Sequence, residues 1–88
     1  MDNETVKKAS EITAEIIGSD NTKTISLSKT HDVHIVYEDI NITLMLIKHS
    51  DNKMEKTRTV NRYEAEHVKT VIMEYLEAAS KKKFLGLF

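Results

Sequence analysis

The segment "VHIVYEDINITLMLI", residues 33–47, holds two runs in which apolar residues alternate with others, separated by an acidic pair. Val33, Ile35 and Tyr37 alternate with His34, Val36 and Glu38. Ile40, Ile42, Leu44 and Leu46 alternate with Asn41, Thr43, Met45 and Ile47. A period of two sets each group on one face of a β-strand, and two neighbouring strands with an apolar face demand a second layer to cover it. A two-residue loop at Glu38-Asp39 pairs Tyr37 with Ile40 and aligns both apolar sets. The pair lacks the Gly or Asn that tight hairpin turns favour, which leaves a wider turn or a different register open.

The flanks supply the covering layer. Val6, Ala9, Ile12 and Ile16 recur at spacings of three and four, which predicts a helix over residues 3–17. Asp2 or Asn3 is placed to cap its start, and Gly18 to close it as a left-handed residue. After the turn residues "SDNTK", Ile25 and Leu27 alternate with Thr24 and Ser26 as a first strand. "HSDN" predicts a further turn, and "KMEKTRTV" an edge strand whose lysines and arginine discourage pairing with another chain. Asn61 and Glu64 have capping-box spacing ahead of Ala65, Val68, Ile72, Tyr75 and Ala79, with Val71 and Leu76 widening the stripe. A second helix over about residues 62–82 follows.

The expected fold is therefore α+β: a two-layer sandwich with an N-terminal helix, a three- to four-stranded antiparallel meander and a long C-terminal helix. At 88 residues the chain suits a single domain, taken as residues 1–83, with an apolar tail at 84–88. Cysteine is absent, which excludes disulfide and thiol chemistry and suits a cytoplasmic setting. No stretch approaches the ~20 apolar residues that cross a bilayer, and the N-terminus lacks the pattern of a signal peptide.

Catalytic templates are missing: there is no glycine-rich phosphate loop, no GxSxG elbow and no cysteine nucleophile. The carboxylate pairs Glu38-Asp39 and Glu64/Glu66 have structural roles in a turn and at a helix start. His31, Asp32 and His34 are close in sequence, but strand residues three apart face opposite ways, so the two histidines do not share an ion. These two, with His49 and His67, are read as solvated surface residues. The expectation is a protein that is not an enzyme and carries neither cofactor nor metal.

Two features point to binding instead. If both helices cover one sheet face, Val36, Met45 and Ile47 form an apolar island on the other. A second copy of the chain, or its own tail, is able to cover that island. The tail itself places Phe84, Leu85, Leu87 and Phe88 after the lysines at 81–83, where the helix dipole also favours cations. Its last five residues resemble the short peptide by which bacterial replication and repair proteins hold the sliding clamp. Leu85, Leu87 and Phe88 match that pattern, and Phe84 stands where the pattern has glutamine.

Net charge is −1, near −4 over residues 1–52 and +3 over residues 53–88. That split falls short of a dedicated nucleic-acid binder. The reading drawn from the residues is a small protein-protein interaction module, of the adaptor or inhibitor kind, such as bacteria and their phages use. The alternative is weak nucleic-acid binding along Lys53, Lys56, Arg58 and Arg62, and a membrane role is disfavoured.

Overall fold

A computed structural model describes the backbone of residues 3–85 and the side chains of residues 3–80. In chain order the elements are α1 (Asn3–Ile17), β1 (Lys23–Ser26), β2 (His31–Glu38), β3 (Asn41–Lys48), β4 (Lys53–Asn61) and α2 (Ala65–Leu85). The four strands form one antiparallel sheet in the order β1-β2-β3-β4. Both helices contribute to a single core with one face of that sheet, which gives the expected α+β two-layer arrangement.

The core follows the periodicity of the sequence. Ala9, Ile12 and Ile16 of α1 and Val68, Val71, Ile72, Tyr75 and Leu76 of α2 pack on Val33, Ile35, Ile42, Leu44 and Leu46. Fully burying each of the larger side chains contributes about 1.5–3 kcal/mol. Two tyrosines fasten helix to sheet or sheet to helix: the Tyr75 hydroxyl donates to the Leu44 carbonyl at 2.7 Å, and that of Tyr37 to the Ile16 carbonyl at 2.7 Å.

The β2–β3 turn departs from expectation. Glu38 pairs with Asn41 and Tyr37 with Ile42, so the loop residues are Asp39 and Ile40. Asp39 adopts φ 57°, a left-handed conformation that a short polar side chain tolerates. Ile40 is 49% exposed and leaves the apolar set. The partner of Tyr37 has moved by two residues, and an even shift keeps every other side chain on its expected face.

Both helix boundaries also differ. No glycine among the described residues has positive φ, so Gly18 does not close α1 as a left-handed residue. The end tightens instead: the Gly18 N–H donates to Ala14 at 3.0 Å and the Ser19 N–H to Ile16, three residues back, at 3.3 Å. At the other helix, Asn61 belongs to β4 and caps a turn, its Oδ1 accepting the Tyr63 N–H at 2.8 Å. The Glu64 carbonyl accepts from the N–H groups of His67 and Val68, each at 3.0 Å. Helix α2 therefore starts at Ala65 rather than at residue 62, and its backbone continues to Leu85.

One irregularity shapes the edge. The pairing of β3 with β4 shifts between Leu46 and Ile47, so that Leu46 faces Lys56 and Ile47 faces Met54, with Glu55 as the extra residue of a bulge. The bulge turns Met54 to the open face and Glu55 to the helix side.

Candidate functional site

No described element covers the sheet face opposite the helices. Strand register sets its side chains in rows: Ser26, Asp32, Ile47 and Met54; then Thr24, His34, Met45 and Thr57; then Val36, Thr43 and Thr59; then Glu38, Asn41 and Asn61. The apolar members run obliquely across three strands, from Val36 on β2 through Met45 and Ile47 on β3 to Met54 on β4. Val36, Met45 and Ile47 are half-buried among their neighbours, and Met54 is 49% exposed.

Met54 was not legible as a member of this stripe. With regular pairing it would face Lys48 on the helix side, and only the bulge brings it opposite Ile47. The threonines are the other unanticipated part. Thr43 and Thr59 join their hydroxyls across β3 and β4 at 3.1 Å, and Thr24 meets His34 Nδ1 at 2.8 Å. These side chains are small and uncharged, so the surface on the β4 side of the stripe is polar without ionic groups, while Asp32 lies on its β2 side.

The face is poor in formal charge because β4 turns its ionic side chains away. Register places Lys53, Lys56 and Arg58 on the helix side of that strand. Arg58 lies 3.4 Å from Glu74 of α2. Arg62 is occupied elsewhere: its guanidinium donates to the carbonyls of Asp39 at 3.2 Å and Ser19 at 3.1 Å and to the Asp20 carboxylate. It also lies over the rings of Tyr37 and Tyr63, 5.2 and 5.5 Å from their centroids. The hydrogen bond to Asp20 leads the causes that raise its pKa. Arg62 thus ties the α1–β1 loop and the β2–β3 turn to the turn between β4 and α2, and does not line an edge with the other three.

The histidines separate as β-geometry requires, but not all are solvated. His31 lies on the helix side, 1% exposed, with Nε2 2.8 Å from Glu55 Oε1 and Nδ1 2.8 Å from the Thr30 hydroxyl. Its position two residues before Val33 in the apolar phase was the available signal. The bulge supplies the carboxylate that lets it be buried. His34 faces the open side. His49, in the β3–β4 loop, holds Asp32 at 2.9 Å and the Lys29 carbonyl at 2.9 Å. The hydrogen bond to Asp32, then that to Lys29, raises the His49 pKa above 6.5. His67 is exposed.

Among the described residues, no group of three or more His, Cys, Asp or Glu is arranged to hold a metal ion. No helix among them is long and apolar enough to cross a membrane. The expected contacts Phe84, Leu85, Leu87 and Phe88 lie outside the residues whose side chains are described. No protein-family model matches the chain, and no curated protein and no solved structure matches it.

Proposed function

We propose that the chain is a small non-enzymatic protein-protein interaction module whose docking surface is the open sheet face. The supporting observation is the apolar stripe of Val36, Met45, Ile47 and Met54, left uncovered by every described element and set in a surface of threonines. Depletion of charge with enrichment of methionine is the composition of an interface core. Methionine's flexible thioether also suits a surface that must fit a partner.

The surface works by burying apolar area, with hydroxyl groups satisfying polar atoms at its rim. A photo-crosslinking residue at position 45, compared with one at the helix position Lys69, tests this. Adducts of defined mass should form from position 45 alone and vanish when Val36→Asp places a charge in the stripe. Equal labelling from both positions, or none from position 45, would overturn the reading.

A further inference from the structure

We propose that the occupant of the open face is a second copy of this chain, stacked sheet on sheet about a twofold axis that runs along the Val36–Met45–Met54 stripe. This rests on reading that face as a docking surface, and it names the partner.

The argument is one of charge and symmetry. In an isologous contact about an axis lying in the interface, side chains on the axis meet their own copies, and the two flanks exchange sides. A charge on the axis would meet itself. The stripe carries none: Val36, Met45 and Met54 on the axis are all apolar and are able to pack against their equivalents, and Ile47, just beside the axis on the Asp32 side, is apolar too.

The flanks differ from one another, as exchange requires. On one side of the stripe lie Asp32 and His34, and on the other Thr43, Thr57 and Thr59. Rotation about the stripe sets the carboxylate and imidazole of one copy against the hydroxyls of the other. Asp32 then faces hydrogen-bond donors and not a second Asp32. Glu38, the other formal charge on this face, sits at the far end of β2 and is also off the axis.

The extent of the face is adequate. Strands β2 and β3 each have 8 residues. With ~3.3 Å per residue and ~4.8 Å between strands, four strands present roughly 500 Å² per copy. The pair would bury about 1,000 Å², the least that a specific interface should clear.

Sedimentation equilibrium of the full chain over a micromolar concentration series tests the proposal, with circular dichroism to check that each variant folds. The wild type should pass from monomer to dimer. Met45→Lys sets an ammonium against its own copy and should raise the dissociation constant about 100-fold or more. Thr59→Asp should weaken the dimer by opposing Asp32, and Thr59→Lys should tighten it. A dimer indifferent to Met45→Lys, or one in which the two Thr59 variants behave alike, overturns this arrangement.

A chain that stays monomeric also overturns it, and a soluble paramagnetic probe then separates the causes. Relaxation of the Met45 and Met54 methyls by the probe would leave the face open for a different protein, so the docking reading would stand. Shielded methyls in a monomer would mean that the chain covers its own face, and both readings would fail.

Discussion

His31 on β2 and Glu55 on β4 meet at 2.8 Å across the intervening strand β3, and the bulge in β4 makes that contact. A carboxylate only accepts, so Nε2 of His31 carries the proton. In the neutral ring Nδ1 then accepts from Thr30, whose hydroxyl lies 3.2 Å from that of Ser28. The Ser28 hydroxyl in turn accepts the N–H groups of Thr30 and His31, each at 3.2 Å. The imidazole is thereby satisfied at both nitrogens while 1% exposed. Removing the acceptor with Glu55→Ala strands a buried donor and should cost about 1–3 kcal/mol in urea unfolding. His31→Leu with Glu55→Ala together should cost less than Glu55→Ala alone, because no polar group is left unpaired.

Arg62 binds two segments that are distant from it in sequence, through the carbonyls of Ser19 and Asp39 and the Asp20 carboxylate. A lysine keeps the charge but loses the planar fork and its stacking on Tyr37 and Tyr63. Thermal unfolding should therefore rank wild type above Arg62→Lys and Arg62→Lys above Arg62→Ala. Hydrogen exchange should quicken first at residues 19–22 in both variants. Equal melting of the three proteins would show that the tie contributes nothing.

His49 supplies a pH-dependent contact between the β3–β4 loop and the start of β2. Its pKa is raised above 6.5 chiefly by the hydrogen bond from its ring to Asp32. A histidine pKa raised in the folded state adds stability that is complete below the unfolded value and disappears as pH climbs through the folded one. The loss should therefore begin above about pH 6.5 and not on the acid side. In an NMR titration the His49 ring should show a midpoint above 6.5, and Asp32→Asn should lower it. An unchanged midpoint in Asp32→Asn would refute the assignment of cause.

The strands and helices were legible because each has one buried face. His31, Val33, Ile35 and Tyr37 share a parity, as do Ile42, Leu44 and Leu46, and parity survives the error of two residues in the β2–β3 pairing. What was illegible depended on backbone geometry that no side chain announces. The bulge between Lys56 and Met54 adds Met54 to the open stripe and sends Glu55 to His31. Nothing in "KMEKTRTV" marks where an extra residue will sit. Arg62 likewise read as part of a basic run, since its partners Ser19, Asp20 and Asp39 lie far away in sequence. Asn61 and Glu64 had the spacing of a capping box but were drawn into the end of β4 and a turn.

Thr13 is 6% exposed within α1, and its hydroxyl finds no hydrogen-bond partner among the described residues. Burying a hydroxyl without a partner costs free energy, and valine has nearly the same shape and helix propensity. Thr13→Val should raise the urea midpoint, adding about 1 kcal/mol without changing the slope of unfolding. A fall in stability would mean that the hydroxyl is satisfied in solution.

Tyr75 joins α2 to the centre of the sheet, its ring 1% exposed and its hydroxyl donating to Leu44 at 2.7 Å. Burial, which disfavours the phenolate, is the largest cause that pushes its pKa up to about 12, and nearby Arg58 opposes it. A folded pKa above the unfolded value of 10.0 adds stability that is complete below pH 10.0 and lost as pH rises toward about 12. Tyr75→Phe removes the titrating group together with its hydrogen bond. At neutral pH this should cost about 0.5–1.5 kcal/mol, since the Leu44 carbonyl loses one donor but the ring still fills its place. Above pH 10 the difference from wild type should shrink, because the unfolded wild type gains an ionisation that the variant lacks. Tyrosinate absorbance followed alongside unfolding checks this directly. If one tyrosine titrates only with loss of structure in the wild type and that step is missing in Tyr75→Phe, the assignment holds. If all tyrosines of the folded wild type ionise near the ordinary value, Tyr75 is not sealed beneath α2.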